Sequence, residues 1–466
     1  MNLFDTIAAI STPYGKGGVA MIRISGADAI SVAQRVFVCA SGKSIADVEH
    51  AKAVYGEIFM PDGSEYNDKN SIDDGIAAVF RAPHSFTGED TVEITCHGGI
   101  LVTQKVLTAV LCAGARAAEA GEFTRRAYVS GKMKLTEAEA LGDLLESRSE
   151  SQLLLARGGM RGKLSGRMEE LYNSLRDVLS GIYAVIDFPD EDLSEMSRDQ
   201  MEAELSDVAL GIRKLAATYR TGRAVSEGIP TVICGRTNAG KSSVYNRLLG
   251  YDAAIVTDIE GTTRDVLRES VSVGKVMLSL CDTAGIRSTD DKVESIGIER
   301  SLKEMEKAEL VLAVFDGSVS PTDDDRELVQ RIKDSEKTAI ALINKSDVSD
   351  GREFLELCKE FDNVVSVSAE NGDGFESLTE IVEGLFIDGE IDMVNDAVVT
   401  GARQYAALNG ALELLGRALD DMKNGVSLDA CCVGVECAMS ALGEVDGREI
   451  GEEIVAQIFS RFCVGK

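Results

Sequence analysis

Hydrophobic positions fall along the chain in successive rhythms. Up to about residue 130, short runs such as GVAMIRIS and TVEITC alternate with stretches of helical period, which predicts an α+β domain. At Thr136 the texture changes. TEAE (Thr136 with Glu139) heads a long run of Ala, Leu and Glu, a capping-box signature at a helix start. Helical periodicity continues, with breaks, to about residue 222. Beyond GRAVSEGIP the short apolar runs TVIC, VMLSLC, LVLAVF, TAIALI and VVSVS alternate with helices, the pattern of buried strands in a mostly parallel sheet. After about residue 388 helical period returns in RQYAALNGALELLGRALDDM and persists to the end. The economical arrangement is an α/β domain inserted into a helical one. It gives an N-terminal α+β domain over 1–130, a helical domain over 131–226 and 389–466, and the inserted domain over 227–388.

The 466 residues are 44% apolar, enough for several cores, and no run is long and apolar enough to span a membrane. MNLFDTIAAISTPYG has no basic segment followed by an apolar one, so no secretory signal is expected. Ten Cys without framework spacing fit reduced thiols in a cytoplasm. In CCVGVEC (Cys431, Cys432, Cys437), the want of a paired C-x-x-C and only three His in the chain favour buried helical thiols over a metal site. The formal charge of −30 would repel nucleic acid. An RNA contact therefore needs a local basic patch or a partner that supplies positive charge. The one cluster of note gathers Arg116, Arg125, Arg126, Lys132 and Lys134, which by default reads as a solvated face.

GRTNAGKS, Gly235 to Ser242, follows the run TVIC and precedes a helical stretch. This is the G-x-x-x-x-G-K-[ST] pattern in the context its chemistry requires. Backbone N–H groups of Asn238, Ala239 and Gly240 would wrap the phosphates, with Ser243 following in the helix. Lys241 would reach the β- and γ-phosphates and Ser242 would bind Mg2+. DTAG (Asp282, Thr283, Ala284, Gly285) places an acid at a strand end to orient the metal ion, and a Gly N–H toward the γ-phosphate. NKSD (Asn344, Lys345, Ser346, Asp347) follows TAIALI, where Asp347 accepts from guanine N1 and N2; adenine offers no such pair, so the motif selects GTP. Ser368, Ala369 and Glu370 of SAENG would line the base. Between them TDIEGTTRD (Thr257, Asp258, Ile259, Glu260, Gly261, Thr262, Thr263) supplies Thr263 as second Mg2+ ligand. Together these motifs resemble the translation-factor-like GTPases, which implies a Ras-like P-loop GTPase fold.

Two departures bear on catalysis. Ile286 stands just after DTAG, where Ras-type enzymes place a water-orienting Gln, and an aliphatic chain cannot position water. A carboxylate in DDKVESIGIER is the expected substitute: Glu294 is the first candidate, with Asp290, Asp291 and Glu299 as alternatives. Asn238 lies inside the phosphate loop. With Thr257 and the carbonyls of TDIEGT it would cage a monovalent cation, or else brace the neighbouring loop. A potassium ion there would offset developing charge where other systems insert an arginine.

The chain resembles throughout the bacterial tRNA-modification GTPase family MnmE (TrmE). The likeness rests on DTIAAISTPYGKGGVAMIRISG, SFTGEDTVEITCHGG, GEFTRRAYVSGKMKLTEAEAL, the GTPase motifs and the terminal Cys-Val-Gly-Lys. It implies a dimerising N-terminal domain that binds 5-formyl- or methylene-tetrahydrofolate, and G domains that pair when K+ and GTP are bound. It also implies a heterotetramer with a flavin-dependent partner, MnmG (GidA), which alone brings FAD. The pair would modify carbon 5 of tRNA wobble uridine with a carboxymethylaminomethyl-type group. By motif, Arg23, Glu93 and Lys132 would contact the folate, though each also suits a surface ion pair. Asn238, Thr257, Ile259 and Thr262 would hold K+, and Glu294 falls at the water-orienting position. Thr237 and Ala120 stand where relatives usually have Pro. Another reading is a ribosome-assembly GTPase switch of the Era or EngA type, which shares the G motifs. A second GTPase copy and a KH-type module with a basic tail are absent from the sequence.

Cys463 stands three residues from the end, in RFCVGK. Gly465 and Lys466 fit a prenylation box badly, and the tail alone reads as a frayed helix end. The resemblance instead gives Cys463 a part in the modification chemistry, as nucleophile or proton donor.

Overall fold

The computed structural model describes residues 5–61, 69–187, 197–251, 269–280 and 305–466. The chain divides into two units, one running to Gly142 and taking in Asp446–Lys466, the other spanning Asp143–Val445.

In the first unit, strands β1 (Ile7–Ile10), β2 (Val19–Ser25), β3 (Phe37–Cys39), β4 (Lys52–Phe59), β5 (Ser71–Phe80), β6 (Thr91–His97) and β7 (Arg116–Ala117) form one sheet in the order β3-β4-β5-β6-β2-β1-β7. Alternation along β2 decides its faces. Ala20, Ile22 and Ile24 join Val92 and Ile94 of β6 in a core closed by Val32 and Val36 of the helix Ala29–Val36, and by Val106 and Val110 of the helix Ile100–Cys112. On the opposite face, Ile7 and Ala9 pack with Ala118 and with Phe123 of the helix Glu122–Val129. The helix Glu452–Ser460 sets Val455 and Phe459 against Leu135 and Ala138.

The expected capping box at Thr136 is not the helix start. The helix runs Leu135–Glu146, and the carboxylate reaching back to its first turn is Glu137, whose Oε2 accepts from the Lys134 N–H at 3.0 Å. Leu135 is fully buried against Phe459 and its neighbours, so packing extends the helix past the residue that local propensity favours.

In the second unit, the main buried apolar positions of Lys163–Asp187 step through Leu164, Met168, Leu171, Leu175, Val178 and Ile182, with Leu179 beside them. Those of Arg198–Ala217 fall at Met201, Leu205, Val208, Ile212 and Leu215. Steps of four and three residues leave an apolar stripe on each helix, widened by Leu179 on one and Ala216 on the other. Both stripes share one core with Leu408, Ala411, Leu415 and Met422 of the helix Ala402–Lys423, and with Cys431, Cys432, Val435 and Leu442 of the helix Leu428–Asp446. Cys431 and Cys432 are therefore core thiols, as expected, whereas Cys437 is exposed.

The same unit holds a second sheet, of β8 (Ile229–Cys234), β9 (Glu269–Val273), β10 (Val276–Leu280), β11 (Leu310–Asp316), β12 (Thr338–Asn344) and β13 (Asn363–Ser366), in the order β13-β12-β11-β8-β10-β9. All pairings are parallel except β9 with β10. Every residue of β11 is buried, as a central strand covered on both faces requires. The apolar runs TVIC, VMLSL, LVLAVF and TAIALI, and the first part of VVSVS, appear as strands of this sheet. Among the described residues no helix is long and apolar enough to cross a membrane.

Candidate functional site

Strand β8 is flanked by β10 on one side and β11 on the other. The connection leaving it opens at the carboxyl edge of the sheet, where α/β folds bind ligands. There Gly235 begins a loop that ends in the helix Lys241–Tyr251. Two backbone conformations shape it. Asn238 holds a left-handed φ of 64°, and Gly240 has φ 96°. A Cβ on Gly240 would run into the Asn344 side chain, so glycine is needed for space as well as for φ. The Lys241 ammonium donates to the carbonyls of Gly235 and Arg236, each at 2.9 Å. Burial pushes its pKa below the ordinary lysine value, an environment in which an anionic phosphate would favour the charged form. Ser242 is exposed in the first turn of the helix, beside Lys241.

Asn344 ends β12 and is almost completely buried. Its Nδ2 donates to the Ala239 carbonyl at 3.1 Å, while its Oδ1 accepts from the Ala369 N–H at 3.1 Å. One side chain thus fastens the phosphate loop to the SAENG loop. Lys345 takes a left-handed φ of 66° and extends its ammonium to Asp316 Oδ2 at 2.7 Å. Burial tends to raise the Asp316 pKa, but bonds from Lys345 and Ser318 outweigh it and hold the carboxyl below its ordinary value. Ser346 N–H donates to the Val367 carbonyl at 3.1 Å. The Ser368 hydroxyl donates to Asp347 Oδ1 at 2.6 Å, which orients a carboxylate whose remaining acceptor capacity suits paired N–H donors. Beside these loops a cleft of about 310 Å³ is lined by Ser243, Asn246, Arg247, Ala369 and Glu370.

In the first unit, Arg23 and Glu93 face each other across β2 and β6. The Arg23 guanidinium bonds Glu93 Oε1 at 2.8 and 2.9 Å. It also lies 5.4 Å from the Phe86 ring centroid and 5.7 Å from that of Phe123. Lys132 donates to the Pro83 carbonyl at 3.0 Å. Pro83 and Phe86 share one loop between β5 and β6, so all three candidates meet that loop or the strand after it.

The expectation of a solvated basic face fails for two of its members. Arg126 is buried and pairs with Asp5 at 2.8 Å, Glu89 at 3.1 Å and Glu122 at 3.1 Å. Arg116 pairs with Asp5 and Glu122, both at 2.7 Å. These guanidiniums are engaged by the domain's own carboxylates.

The tail is not frayed. Val464 bridges Ala120 in antiparallel fashion, the Gly121 N–H reaches the Cys463 carbonyl at 3.4 Å, and the Ser11 hydroxyl donates to the Gly465 carbonyl at 3.1 Å. Gly465 is buried while Cys463 stays exposed. The backbone is thus fixed and the thiol is presented to solvent.

Comparison with known proteins matches residues 6–132 to the GTP-binding protein TrmE N-terminus and residues 135–463 to the MnmE helical domain. The tRNA modification GTPase MnmE of Ligilactobacillus salivarius is 40% identical over 99% of this chain and 98% of its own length. That of Clostridioides difficile is 36% identical over 100% of both. The chain belongs to the MnmE family of tRNA modification GTPases. The solved structure of Aquifex aeolicus Era bound to GDP.AlF4- matches 40% of this chain and 65% of its own at 23% identity, with a TM-score of 0.26.

Of the candidate guanine-nucleotide residues of this MnmE-family chain, Asn238, Ala239, Gly240, Lys241, Ser242, Ser243, Asn344, Lys345, Ser346, Asp347, Ser368, Ala369 and Glu370 lie among the described residues. Thr257, Asp258, Ile259, Glu260, Gly261, Thr262, Thr263, Asp282, Thr283, Ala284, Gly285 and Glu294 lie outside the described residues. Sequence reading missed Asp316, the partner that holds Lys345, although an Asp closing a wholly apolar run was a usable signal. It also missed Arg247, whose guanidinium packs where a Gly372 side chain would begin.

Proposed function

We propose that the chain is a potassium-dependent GTP hydrolase that works with a flavin-dependent partner, MnmG, in the cytoplasm. The pair would add a carboxymethylaminomethyl-type group to carbon 5 of tRNA wobble uridine. The observation that carries the nucleotide half of this reading is Asn344, which fastens Ala239 to Ala369. A loop that grips phosphates and a loop that reads the base are then held as one rigid body, so guanine recognition and phosphate placement are coupled.

The donor set suits the ions that the family implies. Ser242, at the helix start beside Lys241, would hold Mg2+ with Thr263. Asn238, with its amide on a left-handed backbone, would hold K+ with Thr257, Ile259 and Thr262. Bound there, such cations neutralise charge that develops on the transferring phosphoryl group. The chain's own part is to orient: Lys241 turns from the loop carbonyls to the phosphates, Asp347 accepts from guanine, and Glu294 aligns the attacking water. Arg23, paired with Glu93 and lying over the Phe86 and Phe123 rings, supplies with them a cation, an acid and aromatic faces suited to a folate, with Lys132 at the neighbouring loop.

The layout proposed with this function keeps a GTPase domain over 227–388 inserted between helical parts 131–226 and 389–466, after an N-terminal domain over 1–130 that pairs with a second copy. The shared core of helices from both flanks of the second sheet supports it. The exposed thiol of Cys463, on a tail fixed to the first unit, supports a chemical role for that residue.

The experiment is a pair of substitutions read by separate assays. Cys463→Ser is expected to keep GTP turnover and abolish wobble modification in a complemented deletion strain. Glu294→Ala is expected to slow turnover by about 100-fold or more with GTP affinity nearly kept. Normally modified tRNA from the first variant removes Cys463 from the chemistry, and normal turnover by the second removes Glu294.

A further inference from the structure

We propose that Asp73, Asp74 and His97 form a binding site for a divalent transition-metal ion on the N-terminal sheet. Each residue offers one ligand atom, and the three atoms lie within 4.8 Å of one another. Ligands about 2.1 Å from a single first-row ion stand roughly 3 to 4 Å apart, so an ion fits with side-chain adjustment alone. Among the described residues no other group of three His, Cys, Asp or Glu side chains converges in this way.

Groups outside the ligand set hold the carboxylates in place. The His97 backbone N–H donates to Asp73 Oδ2 at 2.8 Å, which turns Oδ1 toward His97 Nδ1, also at 2.8 Å. The Tyr55 hydroxyl of β4 donates to Asp74 Oδ2 at 2.8 Å, leaving the other oxygen available. Outer partners of this kind fix ligand orientation in metal sites. Glu57 lies opposite Asp74 in the β4–β5 register and adds negative potential. The His97 side chain is 66% exposed and that of Asp73 is 12% exposed, so an ion arrives from solvent while one carboxylate stays anchored. Two carboxylates and an imidazole suit Mn2+, Co2+ or Zn2+ rather than soft Cu+. Three protein ligands at a surface leave positions for water or an anionic group.

The test uses the full chain, stripped of metal and nucleotide, titrated with Mn2+ alone and followed by electron paramagnetic resonance. Mn2+ is chosen because oxygen and imidazole sites hold it and the chain's thiols compete poorly for it. Wild type is expected to bind one more equivalent than His97→Asn or Asp74→Asn. Tyr55→Phe is expected to keep the stoichiometry and weaken binding by about 10- to 100-fold. Amide hydrogen exchange of the N-terminal sheet in each variant reports that this unit is folded, and two ligand variants guard against one that misfolds. Equal numbers of Mn2+ bound with equal affinity by wild type and the folded ligand variant would overturn the proposal and leave a plain Asp–His pair.

Discussion

The Ser11 hydroxyl donates to the Gly465 carbonyl at 3.1 Å and joins positions 454 apart in the chain. Gly465 has φ 99°, and a Cβ there would strike the Ile10 carbonyl. The backbone of the last residues is therefore built into the first unit, with the Cys463 and Val464 side chains left outward. Gly465→Ala is expected to destabilise that unit by about 1–3 kcal/mol through left-handed strain and the clash. Ser11→Ala should cost less, about 0.5–1.5 kcal/mol for one lost hydrogen bond. Hydrogen exchange checks both. Amides of Gly121 and Lys466 should lose protection in each variant, more in Gly465→Ala, and unchanged exchange would mean that the tail is not held in solution.

Asn344 joins two loops with two bonds in a buried setting. Asn344→Ala leaves the Ala369 N–H without its partner, and a buried unsatisfied group costs about 1–3 kcal/mol. GDP affinity should fall by roughly 10- to 100-fold, read by titration with a fluorescent analogue. Asp347→Asn should weaken guanine and favour xanthine nucleotides, because an amide cannot accept from both N1 and N2. Retained guanine preference would place base recognition elsewhere.

The ion-pair cluster around Arg126 sets an acid limit. Bonds from Arg116 are the largest influence on Asp5 and, with Arg126, hold its carboxyl below the ordinary range. Burial raises Glu122, yet bonds from Arg116, the Glu119 N–H and Arg126 bring it below the ordinary value. Folded pKa values below unfolded ones mean stability that is present above the unfolded carboxylate range, near pH ~4, and is lost as pH falls through the folded values. The melting transition of the first unit should therefore drop steeply between pH ~5 and pH ~2. Arg126→Ala removes the buried guanidinium shared by Asp5, Glu89 and Glu122, leaving Arg116 as the cation on Asp5 and Glu122, and should cost about 3–5 kcal/mol at neutral pH, with a shallower fall in acid. Calorimetry across that range reads both slopes, and identical slopes would contradict the assignment.

How far the sequence could be read varied with the distance over which each feature is determined. Strands β8 and β10 to β12 were legible because burial on both faces writes a continuous apolar run, and the phosphate loop because its glycines are fixed by local backbone needs. Asn344, Asp347 and Ser368 were legible as motif residues, but the bonds of Asn344 to Ala239 and Ala369 were not. The helix start was misjudged by two residues because Leu135 answers to Phe459, far along the chain. The basic cluster misled for the same reason. Asp5 and Glu89, which neutralise Arg126, lie 121 and 37 positions away. The tail looked loose because Ser11 and Ala120, which secure it, share no local pattern with it.

In the proposed function, Asn238 helps to hold a potassium ion that activates hydrolysis. The most direct measurement is GTP turnover by the purified chain in potassium and in sodium at equal ionic strength, over a range of protein concentrations. Turnover is expected to be stimulated strongly by potassium and to rise with protein concentration, with both effects lost in Asn238→Ala. Equal rates in the two salts would contradict it.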